Sequence, residues 1–102
     1  MTHDGKGANR SRLEALAHTL AELLDKVSVR PEAGFEVQRQ LTTMMADWVA
    51  KGDSAEGKAL LQKAQGKTGM INASDGGAPM RDVAYRQLTE FKNELRTLAR
   101  GE

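Results

Sequence analysis

Apolar residues recur at helical spacing in three stretches of this chain. Leu13, Leu16, Leu20, Leu23, Leu24 and Val27 share one helical face. Val37, Leu41, Met44, Met45 and Trp48 share a second, and Met80, Ala84, Leu88, Phe91, Leu95 and Leu98 a third. Recurrence at i, i+3, i+4 and i+7 with polar residues between marks a helix that buries one side. No alternation of useful length suggests a strand. The expected fold is all-α, a small bundle of about four helices with a Gly-rich loop before the last. Leu20, Trp48, Phe91 and Leu95 are its expected core.

The punctuation of the chain sets the expected boundaries. Residues 1–10 contain Gly5 and Gly7 and no apolar pattern, so they read as a flexible N-terminal arm ahead of a single helical domain over 11–101. Ser11 and Glu14 have capping-box spacing, which starts the first helix at 11 and carries it to 28. Pro31 disfavours helical geometry at Arg30 and suits the first turn of a helix over 32–51. Gly52 fits the left-handed position past that helix. Asp53 or Ser54 opens a short helix over 54–65, which Gly66 is expected to end. Residues 66–78, GKTGMINASDGGA, carry four glycines and read as a loop. Pro79 opens the last helix, 79–100.

Composition narrows the function classes. A chain of 102 residues suits one domain with a thin core, and Leu, Ile, Val and Phe together number only 19. A partner or a second copy is therefore an expected source of added stability. There is no cysteine, so disulfides, thiolate metal sites and a cysteine nucleophile are excluded. Met1 to Arg10 has no apolar core of a signal peptide, and no apolar run approaches a membrane span, so the expectation is a cytoplasmic protein without membrane contact. The net charge is +1, and opposite charges intersperse along Arg81, Asp82, Arg86, Glu90, Lys92, Glu94 and Arg96. That pattern reads as a solvated face and argues against direct nucleic-acid binding, which needs a basic surface.

Candidate chemistry is sparse. Gly66-Lys67-Thr68 matches the end of a phosphate-binding loop, but Leu61 stands where its first glycine is required and a helix precedes it. Glu14, His18 and Glu22 fall on one helical face and could in principle hold a metal; favourable side-chain pairs are the simpler reading. With two histidines and no cysteine, no set of nucleophile, base and orienting group can be nominated. No enzyme, metal or cofactor is expected. Apolar residues off the main stripes are more informative: Phe35, Val49, Met70, Ile71 and Tyr85 are the candidate partner-binding residues. Tyr85 lies roughly 100° from the centre of its helix's stripe. Such an aromatic either covers a neighbouring helix or anchors a partner.

Two functions fit these residues. One is a non-catalytic regulator that binds another protein through helical apolar surface and occludes it. The other is a helical nucleic-acid-associated protein, because the turn Lys51-Gly52-Asp53 loosely resembles a helix-turn-helix connection. The size, the all-helical plan and the alanine- and arginine-rich stretches Ser11–Val27 and Pro79–Arg100 resemble the small bacterial antiactivators of quorum sensing that bind LuxR-type regulators. The resemblance implies a homodimer that blocks dimerisation, and so DNA binding, of a transcription factor. It carries no diagnostic motif, and no site residue follows from it.

Overall fold

The computed structural model describes residues 2–73 and 78–101, with side chains described for 10–73 and 81–101. Four helices form a bundle: α1 (Thr2–Val29), α2 (Gly34–Ala50), α3 (Ala55–Ala73) and α4 (Ala78–Ala99), with a 3-10 turn at Pro31–Ala33 between α1 and α2. No strand occurs among the described residues. The all-α architecture follows the three stripes. Leu16, Leu20, Leu24 and Val27 of α1 meet Leu88, Phe91 and Leu95 of α4, with Val37, Leu41, Leu61 and Ala64 completing one core. Trp48, expected in that core, is half-buried and packs against its edge.

Several punctuation marks act as expected. Arg30 is extended (φ −141°, ψ 98°), the conformation that a following proline enforces. Gly52 adopts φ +68°, and the Asp53 and Gly52 amides donate to Trp48 O (3.2 Å) and Val49 O (3.0 Å). This double bond past a left-handed residue is a Schellman motif, which satisfies the last carbonyls of α2. Ser54 then caps α3, its Oγ accepting from Gly57 N–H at 3.3 Å. Asp53 is spared for a different task and pairs with Arg12 of α1 at 2.8 Å.

Two boundaries are corrected. α1 runs from Thr2, so Ser11 sits exposed inside a helix and caps nothing. Gly5 and Gly7 lower helix propensity by about 1 kcal/mol each, but no proline interrupts the stretch. Arg10 also ties this part of α1 to the far end of α4, donating to Gly101 O at 3.3 Å. The larger correction concerns residues 66–73. They continue α3 as helix instead of forming a loop, and Gly66 ends nothing. The buried face of α3 is Gly57, Leu61, Ala64, Thr68 and Ile71. That is a 4-3-4-3 spacing, a helical stripe in which small and polar residues share the face with Leu61 and Ile71. Residues 74–77, the remainder of the expected loop, lie outside the described residues.

α1 packs along α4 and α2 along α3; α3 also touches α1 and α4, while α2 and α4 do not pack directly on each other among the described residues. The result is elongated and flat, 54 × 27 × 17 Å. Lys92 Nζ donates to Asp25 Oδ1 (3.0 Å) and Ser28 Oγ (2.8 Å), and Arg96 Nη2 to both Asp25 oxygens (2.7 Å), clamping α4 to α1. Burial alone would raise the Asp25 pKa. The hydrogen bonds and positive charge of Lys92 and Arg96 outweigh it and hold the carboxyl below its ordinary 3.8. The α2–α3 pair relies on close approach. The Trp48 ring lies over Gly57 so tightly that a Cβ there would collide with it, and Nε1 donates to Ser54 O at 2.8 Å. At the other end of the pair, the Asn72 amide is pressed against Gly34 in the same way.

Candidate partner-binding cleft

Antiparallel packing gathers four element ends at one pole of the bundle. α3 runs against α4, as Lys63–Glu94 (3.1 Å) and Lys67–Gln87 (3.1 Å) show. The 3-10 turn, the start of α2, the end of α3 and the start of α4 therefore converge. Between them lies a cleft of about 310 Å³ lined by Pro31, Glu32, Phe35, Ile71, Asn72, Arg81 and Tyr85. Three of the five candidate residues named from sequence meet here. Phe35 is 65% exposed at the wall, and Tyr85 is half-buried and packs on the core. The two aromatics thus flank a shared opening, which the sequence left undecided between mutual cover and partner contact.

Ile71 is the buried member of the five. It is 6% exposed and belongs to the core, reaching the cleft as lining. The cause is the continued α3, which places Ile71 on the buried stripe. Met70, one position round the helix, is exposed and does not line the cleft. Val49 is exposed at the opposite end of α2, about 21 Å from Phe35 along the helix axis. The five residues therefore do not form one face.

Sequence reasoning missed Pro31, Glu32, Asn72 and Arg81 as lining residues. Arg81 makes no hydrogen bond or ion pair among the described residues. Glu32 lies 3.9 Å from Arg30, both well exposed. Asn72 Oδ1 is buried against Gly34 without a hydrogen-bond partner; Gln38 Oε1 and Thr68 Oγ1 are likewise buried and unpaired on the same helix pair. A buried acceptor left unpaired costs about 1–3 kcal/mol, so this side of the bundle is held less firmly than the clamped α1–α4 side. A more open groove of about 430 Å³ runs between α1 and α2, lined by Leu23, Met44 and polar neighbours. It gathers none of the candidate aromatics.

The other motifs resolve into structure. Gly66-Lys67-Thr68 lies inside α3, where the backbone amides are engaged in the helix and cannot wrap a phosphate. Glu14 accepts from Arg10 at 3.2 Å, and His18 sits 3.5 Å from Glu22; no group of three metal-ligating side chains occurs among the described residues. Lys51-Gly52-Asp53 joins two helices in contact at both ends, an αα-hairpin and not the angled pair of a helix-turn-helix unit. No described helix is long and apolar enough to cross a membrane. No protein-family model matches the chain, and no curated protein or solved structure is significantly similar to it.

Proposed function

We propose that this chain is a non-catalytic protein-binding regulator whose contact surface is centred on the cleft between Phe35 and Tyr85. The observation that carries the reading is the convergence of two off-stripe aromatics from different helices on one opening, with Phe35 left largely in solvent. A monomer gains nothing by exposing a ring this way, whereas a partner that covers it recovers the burial energy. The resemblance to quorum-sensing antiactivators supplies a target class: the ligand-binding domain of a LuxR-type regulator, held apart from its twin so that DNA binding fails. On that reading the regulator itself is a homodimer.

The test is Phe35→Ala and Tyr85→Ala, made separately in the full chain. Association, with itself or with the partner captured from the native host, should weaken by about 1–2 kcal/mol for each. The helical spectrum and melting temperature should stay near wild type. Loss of stability with unchanged affinity in both variants would assign the rings to the core and end this reading.

A further inference from the structure

The chemistry of the cleft also specifies what it receives, given the protein-binding reading above. Its walls are apolar: Phe35, Pro31, Ile71 and the Tyr85 ring. Its polar ends are mostly donors. Arg81 has no anionic partner among the described residues. Asn72 has turned Oδ1 against Gly34, which leaves its amide nitrogen as the polar end it can offer the cleft. Among the described residues Glu32 is the single acidic one that lines the cleft, and Arg30 lies beside it. Asp82 follows Arg81 but stands about 100° round the helix and does not line the cleft. Arg81 also lies in the first turn of α4, which carries no acidic residue. A cation at the positive end of a helix dipole lacks local compensation, so the site favours an anion.

We infer that the cleft receives an acidic segment of a partner polypeptide: a bulky apolar side chain seats between Phe35 and Tyr85, and a neighbouring carboxylate accepts from Arg81 and the Asn72 amide. Size favours a polypeptide over a free metabolite. At about 310 Å³ the cleft is at the lower limit for small-molecule sites and holds one or two side chains. Apolar surface also continues beyond it. Beside the 3-10 turn a second depression, of about 430 Å³, is lined by Val29 and Ala33 together with Asp25, Lys26 and Arg30, with Val29 86% exposed. A segment crossing the turn covers both depressions.

The experiment titrates the isotope-labelled full chain with three blocked tetrapeptides that share a Leu-Phe centre and are flanked by Glu, Gln or Lys, following backbone amide shifts. The Glu peptide should perturb residues 31–35, 71–73 and 81–85 and bind about threefold to fivefold tighter than the Gln peptide at low salt, the Lys peptide weakest. The preference should fade near 0.5 M salt, where the Debye length falls to about 4 Å. Arg81→Gln should abolish the preference for the Glu peptide over the Gln peptide and leave the melting temperature unchanged. Equal binding of the three peptides, or shifts confined to other surfaces, overturns the inference. If that equal binding still falls in Phe35→Ala, the protein-binding reading survives without its acidic specificity. Absence of binding by all three overturns the inference, while the self-association and capture tests decide the broader reading separately. If 3-phenylpropionate alone reproduces the shifts at the affinity of the Glu peptide, the cleft is a small-carboxylate site and the polypeptide assignment is wrong.

Discussion

Gly57→Ala and Gly66→Ala make the same chemical change on the same helix and should have opposite signs. Alanine is favoured over glycine in a helix by about 1 kcal/mol, and both sites lie inside α3. At Gly66 a Cβ meets nothing within 4 Å, so the propensity gain should appear almost whole, about 0.5–1 kcal/mol of added stability. At Gly57 the same atom falls on the Trp48 ring. The ring cannot yield by a bond rotation at its tip, because the colliding atoms belong to the fused rings. Displacing a half-buried indole re-exposes about 100 Å² of apolar surface, or about 2.5 kcal/mol at 25 cal/mol per Å². Loss of the Nε1 bond to Ser54 O adds about 1 kcal/mol. Subtracting the propensity gain of about 1 kcal/mol leaves a net loss of about 2–3 kcal/mol. Urea unfolding followed by far-UV circular dichroism measures both variants. Trp48 is the sole tryptophan, so its emission in the folded state reports the displacement directly, as a red shift in Gly57→Ala alone. A Gly57→Ala protein as stable as Gly66→Ala, with unshifted emission, would refute the close approach and this account of the α2–α3 pair.

Phe91→Ala should cost about 3–5 kcal/mol in the same assay, since the ring is almost wholly buried and also receives the Lys63 ammonium 5.0 Å from its centroid; a loss below about 1 kcal/mol would remove Phe91 from the core. Asp25 gives the chain a pH dependence at its acid end. Its folded pKa is lowered, so its contribution is fully present above 3.8 and is lost as pH falls through the folded value. Asp25→Asn should be less stable than wild type at pH 7, and the gap should close as the pH falls below 3.8 and through the lowered folded value. Because the Asp25 side chain is 44% exposed, solvent screening keeps its own pH-dependent share within about 1 kcal/mol. A gap that widens on acidification would contradict the assignment.

The α1 and α4 stripes were legible because leucine and phenylalanine write helical periodicity plainly. The end of α3 was not, because Ile71 is the one large apolar residue among its buried positions, beside Ala64 and Thr68, and its exposed ones include Gly66. Glycine density signals a loop only where no periodic face runs through it; here the 4-3-4-3 pattern from Gly57 to Ile71 was the overlooked sign. Ser11 illustrates the converse error: capping chemistry was present, but a cap acts only where the helix stops. Of the cleft, sequence phase exposed Phe35 and Tyr85 as misfits on their helices. It could not reveal Arg81 or Asn72, since both look like ordinary solvated positions until tertiary packing sets them beside those rings.

The two glycine contacts on the α2–α3 pair are reciprocal. α2 carries a notch at Gly34 and a knob at Trp48, 14 positions apart; α3 carries a notch at Gly57 and a knob at Asn72, 15 apart. At 1.5 Å per residue these separations are about 21 and 22.5 Å, so antiparallel helices can engage both notches together. Small residues along the α3 stripe would otherwise let the helices slide past one another by a heptad. A one-heptad slide towards the end of α3 drives the indole from Gly57 onto Ala64, which bears a Cβ, and a slide in either direction withdraws the Asn72 amide from Gly34. The hairpin is thereby indexed at both ends like a two-pin key, and with it the alignment of Phe35 on one helix and Asn72 on the other.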